Sequence, residues 1–188
     1  SMLARGLDGG ARPDIVHTHD WQTGLLPAYE RLRQGPGGPG LVHTIHNLAY
    51  AGNFDASVLP ELGLPWHAYT PEGFEFYGRL SYMKAGLVYA DRITTVSRTY
   101  AQEIQTAAQG CGFEGLLSAR RNVLRGIVNG IDDREWDPAR DPHLPATYSD
   151  EDPSGKAACK AALQKRMGLV VKPDAPLLGV VARLAWMK

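Results

Sequence analysis

Only two cysteines occur in this 188-residue chain, Cys111 and Cys159, too far apart for a metal knuckle and too few for a disulfide framework. Free thiols are the expectation, which suits a reducing compartment. An excess of either charge is missing too: 20 basic residues balance 20 acidic ones along the chain, so neither nucleic acid nor an anionic membrane surface finds a footprint. Long apolar runs are lacking. The stretch from Leu177 to Ala182 is far short of the roughly 20 residues that span a bilayer, so no membrane partner is expected. There is no G-x-x-x-x-G-K-S/T phosphate loop and no G-x-G-x-x-G turn. The glycine-rich Gly35 to Gly40 lies before a strand, the wrong place to cradle a phosphate. NTP hydrolysis and hydride transfer are set aside on these grounds.

What is present suffices for a real core. At 44% hydrophobic content the chain has room for one domain, or one domain plus part of another. No charged-then-apolar leader opens it, and Ser1-Met2 is expected to be an added start to a segment from inside a longer protein. The far end, Trp186-Met187-Lys188 directly after an apolar run, carries the same expectation.

Ile15 to His19 is a short β-branched segment, after which Leu25, Leu26, Tyr29 and Leu32 recur at helical spacing. Asp20 and Thr23 both suit the N-cap of that helix. Leu41 to Ile45 reads as the next strand, and Leu80, Met83, Leu87 and Val88 mark a second helical face. Arg92 to Val96 is a third strand, Thr99 to Gln102 has capping-box spacing for a helix, and Val123 to Val128 is a fourth strand. Strands separated by helices or long loops predict an α/β fold with a mostly parallel, doubly wound, Rossmann-like sheet. The proline- and acid-rich stretch after Trp136 reads as a linker, Ser154 as the cap of a helix ending near Gly168, and Leu177 to Val181 as the first strand of a second domain.

Three of these strands stop at polar residues: His17-Thr-His-Asp-Trp, Thr44-Ile-His-Asn and Gly126-Ile-Val-Asn-Gly. In a parallel sheet the strand ends line the ligand crevice. A sugar needs carboxylates, amides and imidazoles in fixed positions and an aromatic against its apolar face, which Asp20, His46, Asn47, Asn129 and Trp21 supply. Arg183 and Lys188 follow a strand and suit a diphosphate. Blander readings stand beside these: Asp20 as a helix cap, Asn129-Gly130 as a turn, the cations as a solvated pair, and His17 and His43 as hydrogen-bonded histidines near the sheet end. A second class remains open, a metal-dependent hydrolase built on His17, His19 and His43. A third is a noncatalytic glucan-binding module, although Trp21, Trp66, Trp136 and Trp186 are scattered.

With these segments the chain resembles bacterial glycogen synthases and plant starch synthases, the ADP-glucose-dependent retaining glycosyltransferases of two-domain GT-B fold. The motifs, in the family's order, are His17-Thr-His-Asp-Trp-Gln-Thr-Gly-Leu, Thr44-Ile-His-Asn-Leu-Ala-Tyr-Ala-Gly, Tyr82-Met-Lys-Ala-Gly-Leu-Val-Tyr-Ala-Asp, Thr95-Val-Ser-Arg-Thr-Tyr-Ala-Gln-Glu-Ile, Gly126-Ile-Val-Asn-Gly-Ile-Asp, Trp136-Asp-Pro and Val181-Ala-Arg-Leu. The resemblance implies that residues 1–138 are the later part of the N-terminal, acceptor-side domain. It makes 139–175 an interdomain linker with a helix, and 176–188 the start of the nucleotide-binding domain. It implies catalytic positions at Asp20, beside the donor glucose, and His46, on the sugar's hydroxyl end. It further implies sugar contacts at Trp21 and Asn129 and phosphate contacts at Arg183 and Lys188.

ADP-glucose is then the donor, glycogen or another α-1,4-glucan the acceptor, no cofactor or metal is needed, and the location is the cytoplasm, or the plastid in a plant. A UDP-glucose or sucrose synthase-like enzyme of the same fold is the alternative within the class. Departures from the family pattern are Arg98 in place of proline, and Ala51 and Met187 in place of glutamine. The family's N-terminal Lys-Thr-Gly-Gly-Leu loop and most of its nucleotide pocket do not occur in these residues, so the 188-residue chain alone is expected to be inactive.

Overall fold

The computed structural model describes residues 13–34 and 37–182. Strand β1 (Ile15–His19) runs through a single 3-10 turn into helix α1 (Leu25–Gln34), and β2 (Gly40–Ile45) follows. Next come β3 (Asn53–Phe54), the one-turn α2 (Leu59–Leu62), β4 (Glu75–Phe76), β5 (Arg79–Ser81) and α3 (Tyr82–Tyr89). Strand β6 (Arg92–Thr95), helices α4 (Arg98–Glu103) and α5 (Glu114–Ala119), β7 (Leu124–Gly126) and α6 (Gly155–Arg166) complete the order. One compact unit ends at Asn129 and a second begins at Gly130.

In the first unit, β1, β2, β6 and β7 form a parallel sheet in that order, with Thr18 beside His43, His43 beside Ile93 and Ile93 beside Leu124. Side chains alternate across a strand, so this register puts Val16, Thr18, Leu41, His43, Ile45, Ile93, Thr95 and Leu124 on one face, and all are buried. Helices α3, α4 and α5 supply Met83, Leu87, Ala101, Ile104, Phe113 and Leu117 to the core on that face, while α1 packs against α3 and lays Leu26 on the cluster of Val16 and Leu41. Within this unit α1, α3, α4 and α5 all contribute to the cores on that one face. The four strands are therefore one winding of the expected sheet. The opposite face carries Ile15, His17, Thr44, Thr94 and Arg125, with Ile15 62% exposed.

Local chemistry sets the helix starts. Ser81 Oγ accepts the Lys84 N–H at the head of α3, and Ser97 Oγ accepts the Tyr100 N–H at the head of α4. The cap of α4 is Ser97 and not Thr99, because β6 already ends at Thr95 and Arg98 takes the first helical position. At its other end α3 is closed by Arg120, whose guanidinium donates to the carbonyls of Leu87, Val88 and Ala90. Strands β3, β5 and β4 form a separate antiparallel sheet in that order. Two-residue strands leave no periodicity in a sequence, so neither β3 nor β4 was foreseeable.

In the second unit, Asp132, Asp137, Asp141 and Asp152 each accept the amide two residues on, a run of side-chain turns that suits the acid-rich linker. Helix α6 stands where the spacing predicts it, although Ser154 makes no side-chain cap. Gln164, 4% exposed, bonds the backbone of Lys172 with both amide atoms. The strand expected over Leu177 to Val181 is not formed: 177–182 has no regular structure, and Leu178 and Val180 are about nine-tenths exposed. A strand requires a neighbour to pair with, and the described residues provide none.

Candidate active site

The polar residues at the ends of β1 and β2 meet. Asp20 leaves β1 with its N–H on the Thr44 carbonyl at 2.9 Å, and its backbone sits at φ 51°, ψ -172°, a region almost reserved for glycine. Its side chain makes no cap on the following turn. Instead Oδ1 accepts the backbone N–H of His46 at 2.7 Å and of Asn47 at 3.3 Å, while Oδ2 has no partner among the described residues. The cap reading of Asp20 falls: its carboxylate crosses to the neighbouring loop.

That loop is held at every amide from 46 to 49. Beyond the two on Asp20, the Leu48 N–H donates to Tyr100 Oη at 3.1 Å, and the Ala49 N–H to Asn47 Oδ1 at 3.1 Å. Fixed backbone of this kind is what a preorganised polar site needs. The His46 ring is held as well, with its Nε2 lying 3.0 Å from His19 Nδ1. His19 in turn stacks on His17 at 4.3 Å, and His17 Nε2 meets Thr44 Oγ1 at 2.6 Å. Burial, followed by the two neighbouring imidazoles, pushes the His17 pKa down. A row of side chains thus runs across the open sheet face from Thr94 through Thr44 and His17 to His19 and His46.

His43 is elsewhere. It lies on the covered face, 0% exposed, with Gly86 so close that a Cβ there would stand 2.5 Å from the ring. Thr18 Oγ1 donates to the Val42 carbonyl at 3.2 Å and meets His43 Nδ1 at 2.8 Å, so Nδ1 carries the proton and Nε2 is left without a partner. Burial brings its pKa down to about 4. The sheet therefore separates His43 from His17 and His19, and the ligand set of the hydrolase reading does not assemble. The described residues hold no group of three His, Cys, Asp or Glu side chains placed to bind a metal.

Trp21 is half-buried, 5.9 Å from Phe54 and 6.4 Å from Tyr82 by ring centroids, with Gly52 pressed on its face. Part of the indole is taken by packing. Asn129 follows β7 at the same, carboxyl, end of the sheet and is exposed. Two strand spacings, about 10 Å, separate its strand from that of His46. Arg183 and Lys188 lie outside the described residues. Neither Tyr100 nor His19 was recognisable from sequence as a support for this loop. Tyr100 sits on a helix far along the chain, and only the adjacency of β2 and β6 brings its hydroxyl to the loop.

A parallel α/β domain with a rigid, polar cluster on the loops after its strands is a ligand-binding domain of the type whose crevice opens at the carboxyl edge. The profile of the starch synthase catalytic domain matches residues 1–119. Glycogen synthase of Anaeromyxobacter sp. (strain Fw109-5) is 54% identical over 95% of this chain and 38% of its own length. Glycogen synthase of Francisella tularensis subsp. novicida is 51% identical over 100% of this chain and 39% of its own. The catalytic domain of Starch Synthase IV from Arabidopsis thaliana, solved bound to ADP and acarbose, superposes with TM-score 0.73 at 37% identity, over 89% of this chain and 36% of that one. The chain belongs to the starch synthase catalytic domain family. It spans well under half the length of the curated relatives it matches.

Proposed function

We propose that this chain is part of a glucosyltransferase that moves glucose from ADP-glucose to the non-reducing end of an α-1,4-glucan, with retention of configuration. The observation that carries the reading is the Asp20 carboxylate bridging to the His46 and Asn47 amides, in a chain that aligns with glycogen synthases over 95–100% of its length. Asp20 Oδ2 and the His46 ring are then available to the donor sugar's hydroxyls, and Asn129 and the free part of Trp21 extend the same wall. In the reaction the bond from the anomeric carbon to the diphosphate breaks, and ADP leaves with the electron pair. The acceptor hydroxyl attacks from the same face and gives its proton to the departing phosphate. Arg183 and Lys188 would balance the charge that grows on the leaving group. No residue here acts as a covalent nucleophile, and no metal is required.

Acarbose and ADP in the Starch Synthase IV structure support a glucan and a nucleotide as ligands of such a site. The proposed location is the cytoplasm, or the plastid in a plant; among the described residues no helix is long and apolar enough to cross a membrane. The test is incorporation of labelled glucose into glycogen by the full-length parent. Asp20→Asn, which keeps an oxygen for both amides, should lower kcat by about a hundredfold or more while leaving the melting temperature nearly unchanged. Equal turnover by wild type and variant would remove Asp20 from the chemistry. UDP-glucose should compete weakly in the same assay, and EDTA should leave the rate unaltered. The isolated 188 residues should transfer no glucose, since the rest of the donor pocket is supplied by the parent.

A further inference from the structure

The hairpin joining β4 to β5 and the loop before α5 line an open cavity of about 490 Å3 whose walls include neither Asp20 nor His46. Both loops hold left-handed backbone: Tyr77 and Gly78 at φ 50° and 78°, Cys111 and Gly112 at φ 51° and 88°. Glycine or asparagine makes such a hairpin turn without strain, whereas a bulky aromatic does so only against it. The chain nevertheless places a tyrosine there and leaves it 79% exposed. Gly112 presses in so tightly that a Cβ would lie 3.0 Å from both the Phe76 and Tyr77 rings. Phe76 is fixed from behind by Phe113, stacked at 4.1 Å, and meets Tyr77 edge to face at 4.7 Å. The strained backbone thus holds an aromatic surface in place.

Polar groups converge on the same cavity. Lys84 lines it while only 8% exposed, and its ammonium donates to the carbonyls of Pro71, at 2.6 Å, and Glu75. The third N–H of that ammonium has no acceptor among the described residues. Glu75 uses Oε1 to accept the Gly78 amide at 2.6 Å, which leaves Oε2 without a partner among the described residues, and Glu72 adds an exposed carboxylate. Ring faces for apolar C–H groups, carboxylates that accept and an ammonium that donates are the complement of a hexose.

We propose that this cavity is a glucan subsite separate from the transfer site, which holds a short stretch of α-glucan through Tyr77, Glu72, Glu75 and Lys84. The inference rests on the reading of a glucan as acceptor. A chain gripped here and at the transfer site would meet the second contact at raised effective concentration, which favours long acceptors over short ones.

Maltohexaose titrated into the 15N-labelled chain tests the subsite directly. Amide shifts are expected at 72–78 and 111–113, and Tyr77→Asn, whose new side chain suits the left-handed turn, should weaken that binding by about tenfold. Tyr77→Phe, which keeps the ring, should stay within about twofold. In the full-length parent Tyr77→Asn should raise KM for glycogen and leave kcat and the KM for ADP-glucose and maltotriose as in wild type. Shifts confined to the surroundings of Asp20 and His46, no saturable binding, or equal affinity of Tyr77→Asn and wild type would each overturn the subsite. None of those results touches the transferase reading, which the Asp20→Asn assay decides.

Discussion

The phenol oxygen of Tyr100 accepts the Leu48 N–H at 3.1 Å, so the first turn of α4 anchors the loop that follows β2. Together with Asp20 it makes that loop a fixed surface rather than a flexible connection.

Tyr100→Phe removes this acceptor and little else. Leu48 is 0% exposed, so its amide would be buried without a partner, at a cost of about 1–3 kcal/mol. Urea unfolding should register the loss, and hydrogen exchange should quicken at Leu48 while the His46 amide, still on Asp20, keeps its protection. Unchanged exchange at Leu48 would contradict the account.

Asp20→Ala should act differently from Asp20→Asn. Alanine removes the acceptor of two amides and keeps a Cβ at a backbone geometry that only glycine takes freely. A loss of about 2–3 kcal/mol and rapid exchange at His46 and Asn47 are expected, with Asp20→Asn close to wild type in both measurements. If alanine proves as stable as asparagine, the bridge contributes nothing to the fold.

His43 makes stability depend on pH in a defined window. Its folded pKa, about 4, lies below its ordinary 6.5, so the unfolded chain binds the proton first. Stability from this group is whole above pH 6.5, declines as the pH falls towards 4, and loses about 3 kcal/mol in all. His17, shifted in the same direction, adds to the slope. Urea midpoints between pH 4 and 7 should flatten in His43→Asn, and an equally steep curve there would assign the slope to other groups.

Arg120 is the lid on the C-terminus of α3. Arg120→Met leaves the carbonyls of Leu87, Val88 and Ala90 without their donor, and should destabilise by about 2 kcal/mol. Arg120→Lys should recover only part of it, because a point charge cannot span three acceptors as a planar fork does. Full recovery by lysine would mean that charge alone matters at this helix end.

Much of the parallel sheet was readable in the letters, since β1, β2 and β6 are β-branched runs that stop at a polar residue. The small antiparallel sheet and α5 were not, because their short segments are held by tertiary contacts such as Phe76 on Phe113 and carry no pattern of their own. At the site, Asp20 and His46 were legible as strand-end polar residues. Their link was not: it depends on a backbone angle at Asp20 that propensity argues against. Likewise the two faces of the sheet followed from alternation for His17 and His19, but the opposite placement of His43 needed the pairing register between β1 and β2. The run from Leu177 to Val181 shows the converse, an apolar segment read as a strand that stays irregular where the described residues offer it no partner.

The unusual torsion at Asp20 sets two selective pressures against each other at one codon. A library randomised at position 20 and sorted for heat resistance alone should return asparagine alongside aspartate, since both put an oxygen on the two amides, whereas glycine relieves the torsion but loses that acceptor. Sorted for glucose incorporation by the parent, the same library should return aspartate.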